Sequence, residues 1–200
     1  MADQAGSVLL ETDRLLLRPF TTDDVDHLVA LDSDPGVMRF INGGRPTPRE
    51  EVVERVLPRF LWYQEQAHGY GFWAVEEKAS GDFIGWFHLR PDPDDGDPAE
   101  PELGYRLIRD AWGKGYATEG SLALIARAFD TLGARRVWAS TMVINVGSRR
   151  VMEKAGMRLA RTFWGEWPET IPGDEHGGVE YAITREEWDD DSKSASQAAR

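Results

Sequence analysis

The chain predicts an α+β domain in three layers, with helices packed on a mixed sheet. Three observations lead there. Apolar spacing switches between strand and helix periods in the order β-α-α-β-β-β-α-β-α-β-β. A four-residue turn joins two aromatic-rich strands as an antiparallel hairpin, and the later strands are separated by helices, as parallel crossovers require. With 200 residues, one domain can bury roughly 70% of its unfolded surface. The domain is expected over residues 8–188, with 1–7 and 189–200 as flexible termini.

Each element has a local cause. "RLLLRPF" (14–20) reads as the opening strand, and "TTDDVDHLVALD" (21–32) as a helix capped by Thr21 or Thr22, with Val25, Leu28 and Val29 on one face. "TPREEVVERVLPRFLWYQEQ" (47–66) carries a capping box, Thr47 with Glu50, and Pro48 at the first helical position. Val53, Val56, Leu57 and Phe60 follow at helical spacing, and Pro58 should kink or split the helix. "GFWAVEE" and "DFIGWFHL" flank the turn "KASG", and "ELGYRLI" (102–108) follows an acidic loop as the fourth strand. In "SLALIARAFDTLG", Leu122, Ile125, Ala126 and Phe129 make an apolar stripe that Gly133 ends. "ARRVWASTMV" is the fifth strand, "GSRRVMEKAG" a short helix, and "MRLARTFW" and "GVEYAIT" the last two strands.

Composition narrows the chemistry. The absence of cysteine excludes disulfides, thiolate nucleophiles and thiolate metal sites. No basic leader or apolar run of membrane-spanning length is present, so a cytoplasmic protein without membrane partners is expected. A net charge of −12 argues against nucleic acid and anionic lipid and leaves two readings, a cationic partner or solubility alone. In the acidic loop (90–102), Asp92, Asp94 and Gly96 miss the calcium-loop register. His27, His68, His88 and His176 lack ligand spacing, so no metal site is expected.

The segment "WGKGYATEG" (112–120) lies between a strand and a helix, where free backbone N–H groups favour phosphate oxygens. It is not a P-loop, because Lys114 is followed by Gly115 rather than Ser or Thr. Nor does it complete a dinucleotide fingerprint: Thr118 stands where the third glycine belongs, and "VWAST" offers no ribose-binding acid. A glycine turn that merely eases strand-to-helix packing stays open on this evidence.

The element order and this loop resemble the GNAT acyltransferase superfamily over about residues 8–188. In its pattern Gln/Arg-x-x-Gly-x-Gly/Ala, Gly115 and Ala117 take the last two places, and Trp112 stands where Gln or Arg is usual. "AWGKGYATEG", with "ELGYRL" before it and "NVGSRRVMEKAGM" after it, is similar to the RimJ/RimL-type branch. The resemblance implies an αβα domain whose mixed sheet splays between the fourth and fifth strands at a bulge. It implies acetyl-CoA as cosubstrate and no metal. Trp112, Gly113, Lys114, Gly115, Tyr116, Ala117 and Thr118 would hold the pyrophosphate. Backbone groups of Tyr105, Arg106 and Leu107 would pair with the pantetheine amides, and Asn145 would bond the same arm, unless it serves only as a helix cap.

The implied reaction is direct attack of a neutral primary amine on the thioester, without a covalent enzyme intermediate. Glu102 matches the strand glutamate often assigned as base, and Ser148 the serine assigned as proton donor to the thiolate. Tyr105 and Tyr116 are alternative donors. His88 is a candidate for the acceptor cleft, and Trp62, Trp164 and Trp167 lie in segments that form acceptor-pocket walls in relatives. The acceptor is then a protein N-terminus or a small cationic metabolite. A non-catalytic acyl-CoA-binding module, transfer of a longer acyl group, and a homodimer all remain open.

Overall fold

The computed structural model describes residues 8–66, 69–91, 96–165 and 170–190. His68, Trp167, Asp92, Asp94 and the segments 1–7 and 191–200, for which expectations were stated above, lie outside the described residues.

Eight strands form one sheet in the order β1-β2-β3-β4-β5-β6-β8-β7. They are β1 (Leu10–Glu11), β2 (Leu15–Pro19), β3 (Gly71–Glu77), β4 (Phe83–Arg90), β5 (Glu102–Leu107), β6 (Arg136–Met142), β7 (Arg158–Phe163) and β8 (Gly178–Thr184). The short β1 is additional, so the predicted fourth and fifth strands are β5 and β6. All neighbours pair antiparallel except β5 and β6, which pair parallel through Glu102 and Trp138 alone. Beyond that bridge they part. Register between β4 and β5 is unbroken from Gly85↔Leu107 to Arg90↔Glu102, so the divergence lies on the β6 side of β5. β8 then inserts between β6 and β7.

Strand alternation sorts the core into two layers. On one face Phe72, Ala74 and Trp86 pack with Phe20, Leu28, Leu31, Val52, Leu57 and Phe60, which come from β2's end and from the helices before β3. On the other, Val75, Phe87, Leu89 and Leu103 pack with Leu124, Ile125, Ala128, Phe129 and Met152. These last five belong to α5 (Tyr116–Asp130) and α6 (Val146–Lys154). The buried stripe of α5 thus runs through Leu124 and Ala128 as well as Ile125 and Phe129. Leu122, predicted to face the core, is 37% exposed.

Before β3 the chain forms α1 (Val25–Asp32), α2 (Pro35–Asn42), α3 (Arg49–Glu51), a π-helical turn (Val52–Val56) and α4 (Leu57–Gln66). Thr21 caps the turn leading into α1, as expected, through a capping box with Asp24. Thr47 does not cap α3. Pro48 holds the cap position, and Thr47 N–H bonds Asp32 O at 3.1 Å instead. Pro58 is the second residue of α4, and the segment is divided just before it, where the π-helical turn separates α3 from α4. The proline cannot donate a backbone hydrogen bond, and the wider π turn just before it lets the helical path run on. Helix α2 has no counterpart in the predicted order, although Asp34 caps it, Pro35 opens it and Gly43 closes it.

Candidate functional site

The site grows out of the place where β5 and β6 separate. A cavity of about 1260 Å³ lies there, lined among others by Glu102, Tyr105, Arg106, Leu107, Trp112, Gly113, Gly115, Tyr116, Ala117, Thr118, Asn145 and Ser148. Of the residues expected from sequence to bind the cosubstrate or manage protons, Lys114 alone is off its wall.

One end of the cavity is the start of α5. Gly115 is its cap residue with φ 86°, and Gly113 has φ 73°, conformations that side chains with a Cβ resist. Glu119 N–H is the first to bond backward, to Gly115 O at 3.0 Å. Among the described residues the N–H groups of 113–118 find no acceptor. A Cβ on Gly113 would meet nothing within 4 Å. Free N–H groups, the positive end of a 15-residue helix and open space above them suit a phosphate group. The loop is fixed from outside by Arg14, whose Nη1 donates to Lys114 O at 2.9 Å while Nε donates to Glu119 Oε2 at 2.7 Å. Trp112 is half exposed, and its Nε1 donates to Leu107 O at 2.9 Å.

β5 supplies the next set of groups. Ile108 N–H donates to Ile84 O at 3.0 Å, which makes those two a hydrogen-bonded pair. By alternation, the backbone of Arg106 and Gly104 is committed to β4, while that of Tyr105 and Leu107 turns to the open side. Leu107 O is already held by Trp112, which leaves Leu107 N–H and both groups of Tyr105 for a ligand's amides. Arg106 reaches the cavity through its side chain rather than its backbone.

Across the gap, Asn145 caps α6: its Oδ1 accepts from Ser148 N–H at 3.3 Å, and its Nδ2 donates to Thr141 Oγ1 at 3.0 Å. Both ends of the amide are thus engaged within the protein. Ser148 Oγ lies 2.9 Å from Tyr105 Oη, which also donates to Ser148 O at 3.1 Å. Burial pushes the Tyr105 phenol up to about 12, against a smaller opposing effect of Ser148, so it stays protonated. Tyr116 Oη is instead tied to Glu77.

The other end of the cavity is aromatic and charged. Phe60, Phe72 and Trp86 line it, and the His88 ring stacks on Trp86 at 5.8 Å and meets Phe72 edge-on at 5.0 Å. Gly104 makes room for that ring, since a Cβ there would stand 2.5 Å from His88 Cε1. Glu102 Oε2 accepts from Arg90 Nη2 at 2.9 Å and lies 3.6 Å from His88 Nε2. Burial alone would raise the Glu102 carboxyl, but His88, Arg90 and Arg59 outweigh it and hold the group below the usual carboxylate range. Burial pushes His88 down, against the opposing pull of Glu102. Arg106 Nη1 bonds Asp32 Oδ1 at 2.6 Å, and its guanidinium lies over Trp86 at 5.1 Å. Asp32, Arg59, Arg90 and α2, which brings Val37, Phe40 and Ile41 to the wall, carried no local sign in the sequence that they belong to a site. Trp62 and Trp164 are exposed and absent from the wall, the first packed on Tyr63. No cluster of three or more metal-ligating His, Cys, Asp or Glu side chains occurs among the described residues.

Comparison with known proteins agrees with this geometry. The family model described as acetyltransferase (GNAT) domain matches residues 14–158. The chain is 36% identical over 184 residues to the "FsC-acetyl coenzyme A-N(2)-transacetylase" of Aspergillus fumigatus, covering 90% of this chain and 77% of that protein. It superposes on a GNAT-family acetyltransferase from Bacillus anthracis with TM-score 0.68 and 25% identity, over 88% of this chain and 98% of that one. It also shares its fold with a RimL alpha-N-protein acetyltransferase of ribosomal L7/L12 solved with coenzyme A, with TM-score 0.73 and 20% identity over 89% of this chain and 98% of that one.

Proposed function

The chain belongs to the GNAT acetyltransferases, and from that premise we propose that it transfers the acetyl group of acetyl-CoA to a primary amine by direct attack on the thioester. The observation that carries this reading is one cavity bordered by three things: the free N–H groups of 113–118, the Tyr105–Ser148 hydroxyl pair and the Glu102 carboxylate. A module that only bound acyl-CoA would have no use for the last two. The relative named as an N(2)-transacetylase supports an amine nitrogen as acceptor, in a small cationic metabolite or a protein N-terminus, and "NVGSRRVMEKAGM" supports the RimJ/RimL-type branch.

Residues 113 and 115–118 would hold the pyrophosphate through backbone N–H groups, and the open-side groups of Tyr105 and Leu107 would hold the pantetheine amides. Acetyl-CoA supplies the acetyl group as a thioester. The chain's own residues manage protons. A protonated amine must lose one before it can attack. Glu102 accepts it through Oε1, which has no protein partner among the described residues, while Arg90 and His88 border Oε2. The departing sulfur takes a proton from Ser148 Oγ, which Tyr105 Oη can replenish across 2.9 Å.

A screen of primary amines, reading free thiol release from acetyl-CoA, tests the reading. No release with any amine, in a protein that binds acetyl-CoA, would remove it. Ser148→Ala is expected to slow the chemical step roughly 10- to 100-fold with acetyl-CoA affinity unchanged. The α6 cap survives that substitution, because Asn145 accepts from the backbone N–H of Ser148 and not from its hydroxyl. An unaffected single-turnover rate would take Ser148 out of the proton path.

A further inference from the structure

The charge of the acceptor end does not follow the net −12 of the chain. Among the described residues three acids line the cavity, Asp32, Glu51 and Glu102. Each is already held by an arginine: Asp32 by Arg106 at 2.6 Å, Glu51 by Arg55 at 3.5 Å and Glu102 by Arg90 at 2.9 Å. Arg59, on α4, also lines the cavity and has no carboxylate partner among the described residues. Its guanidinium lies 5.2 Å from the centre of the Phe72 ring. The residue is exposed overall, yet its head group is desolvated enough, with Arg90 and Arg106 acting against it, to lower its proton affinity. Arg59 and Glu102 each bias the other's ionisation, so they face a common space. The buried Nε atoms of Arg90 and Arg106 have no hydrogen-bond partner among the described residues. Arg150 and Lys154, on α6, line the cavity as well, but Arg59 is the surplus positive charge beside the aromatic floor and close to the group that must deprotonate the amine.

We infer that the acceptor is a carboxylate-bearing amine of the amino-acid type, whose carboxylate is bound by Arg59 while its amine faces Glu102. The inference rests on the acetyl-transfer reading. A guanidinium matches a carboxylate through two parallel N–H donors, and an anionic group there cancels the field that would repel a bare cation. Phe72 and Phe60 offer an apolar surface for the acceptor's remaining atoms. This replaces the cationic acceptor that net charge alone suggested: the acids of the site are spent on its own arginines.

The test compares the twenty protein amino acids with their carboxamides as acceptors, by thiol release. In the wild type, the acid form of the best pair is expected to exceed its carboxamide by about tenfold or more in kcat/KM. In Arg59→Gln that ratio should fall to near one with the KM for acetyl-CoA unchanged, and Arg59→Lys should keep part of it. Carboxamides used as well as acids, or a ratio indifferent to Arg59→Gln, would overturn the proposal, as would an effect confined to acetyl-CoA affinity. A second arm needs no turnover. Calorimetry on the coenzyme A-loaded protein should show phenylacetate binding that phenylacetamide does not reproduce and that Arg59→Gln removes. If no amine is acetylated, the transfer reading fails alone: phenylacetate binding that depends on Arg59 still upholds the carboxylate site, and its absence overturns it.

Discussion

Gly115→Val is expected to weaken acetyl-CoA binding roughly 100-fold or more in a domain that still folds. A Cβ at this position would meet only Arg14 Nη2, at 3.4 Å, so the loss does not come from a methyl group driven into a phosphate. It comes from the backbone. Gly115 caps α5 at φ 86°, and a β-branched residue held there costs upwards of about 1–2 kcal/mol. A domain stable by about 5–15 kcal/mol tolerates that cost. Relief by moving φ to negative values rotates the peptide into Tyr116 and scatters the N–H groups of 113–118, and the branched side chain displaces Arg14 from Lys114 O and Glu119. Losing two such hydrogen bonds to an anion, each worth about 1.5–3 kcal/mol, weakens binding roughly 100-fold or more. Calorimetric titration with acetyl-CoA checks it, with circular dichroism to show the variant folded. Unchanged affinity would mean that the loop serves strand-to-helix packing and not phosphate.

That loop was legible because its physics is local. Gly113 and Gly115, a following apolar stripe and a preceding strand lie within 32 consecutive residues (102–133), and the helix start they specify needs nothing from the rest of the chain. Glu102 and Ser148 were legible only through resemblance. The structure puts them on the same cavity, but no spacing rule brings a strand residue and a helix residue 46 positions apart together. The aromatic and charged end of the cavity was not legible. Asp32 and Arg106 are 74 residues apart, and their pairing depends on α1 and β5 meeting over the same face of the sheet. Arg59 reads in sequence as an ordinary polar helix position, and only the commitment of every neighbouring acid elsewhere singles it out. Helix α2 did carry its signals, Asp34-Pro35 and Asn42-Gly43. Only Val37 and Met38 of its eight residues are buried, too few for a visible apolar period. Trp62 and Trp164 are 52% and 70% exposed and lie off the cavity wall, which their segments reach instead through Phe60 and Phe163.

Glu102→Gln should lower turnover most below the amine's pKa and recover as pH rises. The carboxyl is buried, which favours its neutral form, yet His88, Arg90 and Arg59 pull it below the ordinary range, so it is ionised across any working pH. An α-amine titrates near about 8 and a lysine-type amine near about 10.4. Below those values most acceptor is protonated, and a base in place is worth about 100-fold or more. Above them free amine is abundant, and the variant should approach wild type. Substitution also strips Arg90, whose side chain is 12% exposed, of its ionised partner, and a purely structural loss from that source would lower the rate equally at every pH. The profile of kcat/KM against pH separates the two: convergence at high pH assigns Glu102 as base, and parallel curves return it to holding Arg90. Stability gives an independent check with a fixed sign. Because the folded-state pKa is depressed, the contribution of the carboxylate is present above its unfolded value of about 4.3 and is lost as pH falls through the folded value. Thermal melts should therefore show wild type above Glu102→Gln at neutral pH, with the gap closing in acid. A gap that persists in acid would mean that Gln distorts the packing around His88 and Arg90, and the rate data would then have to be taken from Glu102→Asp.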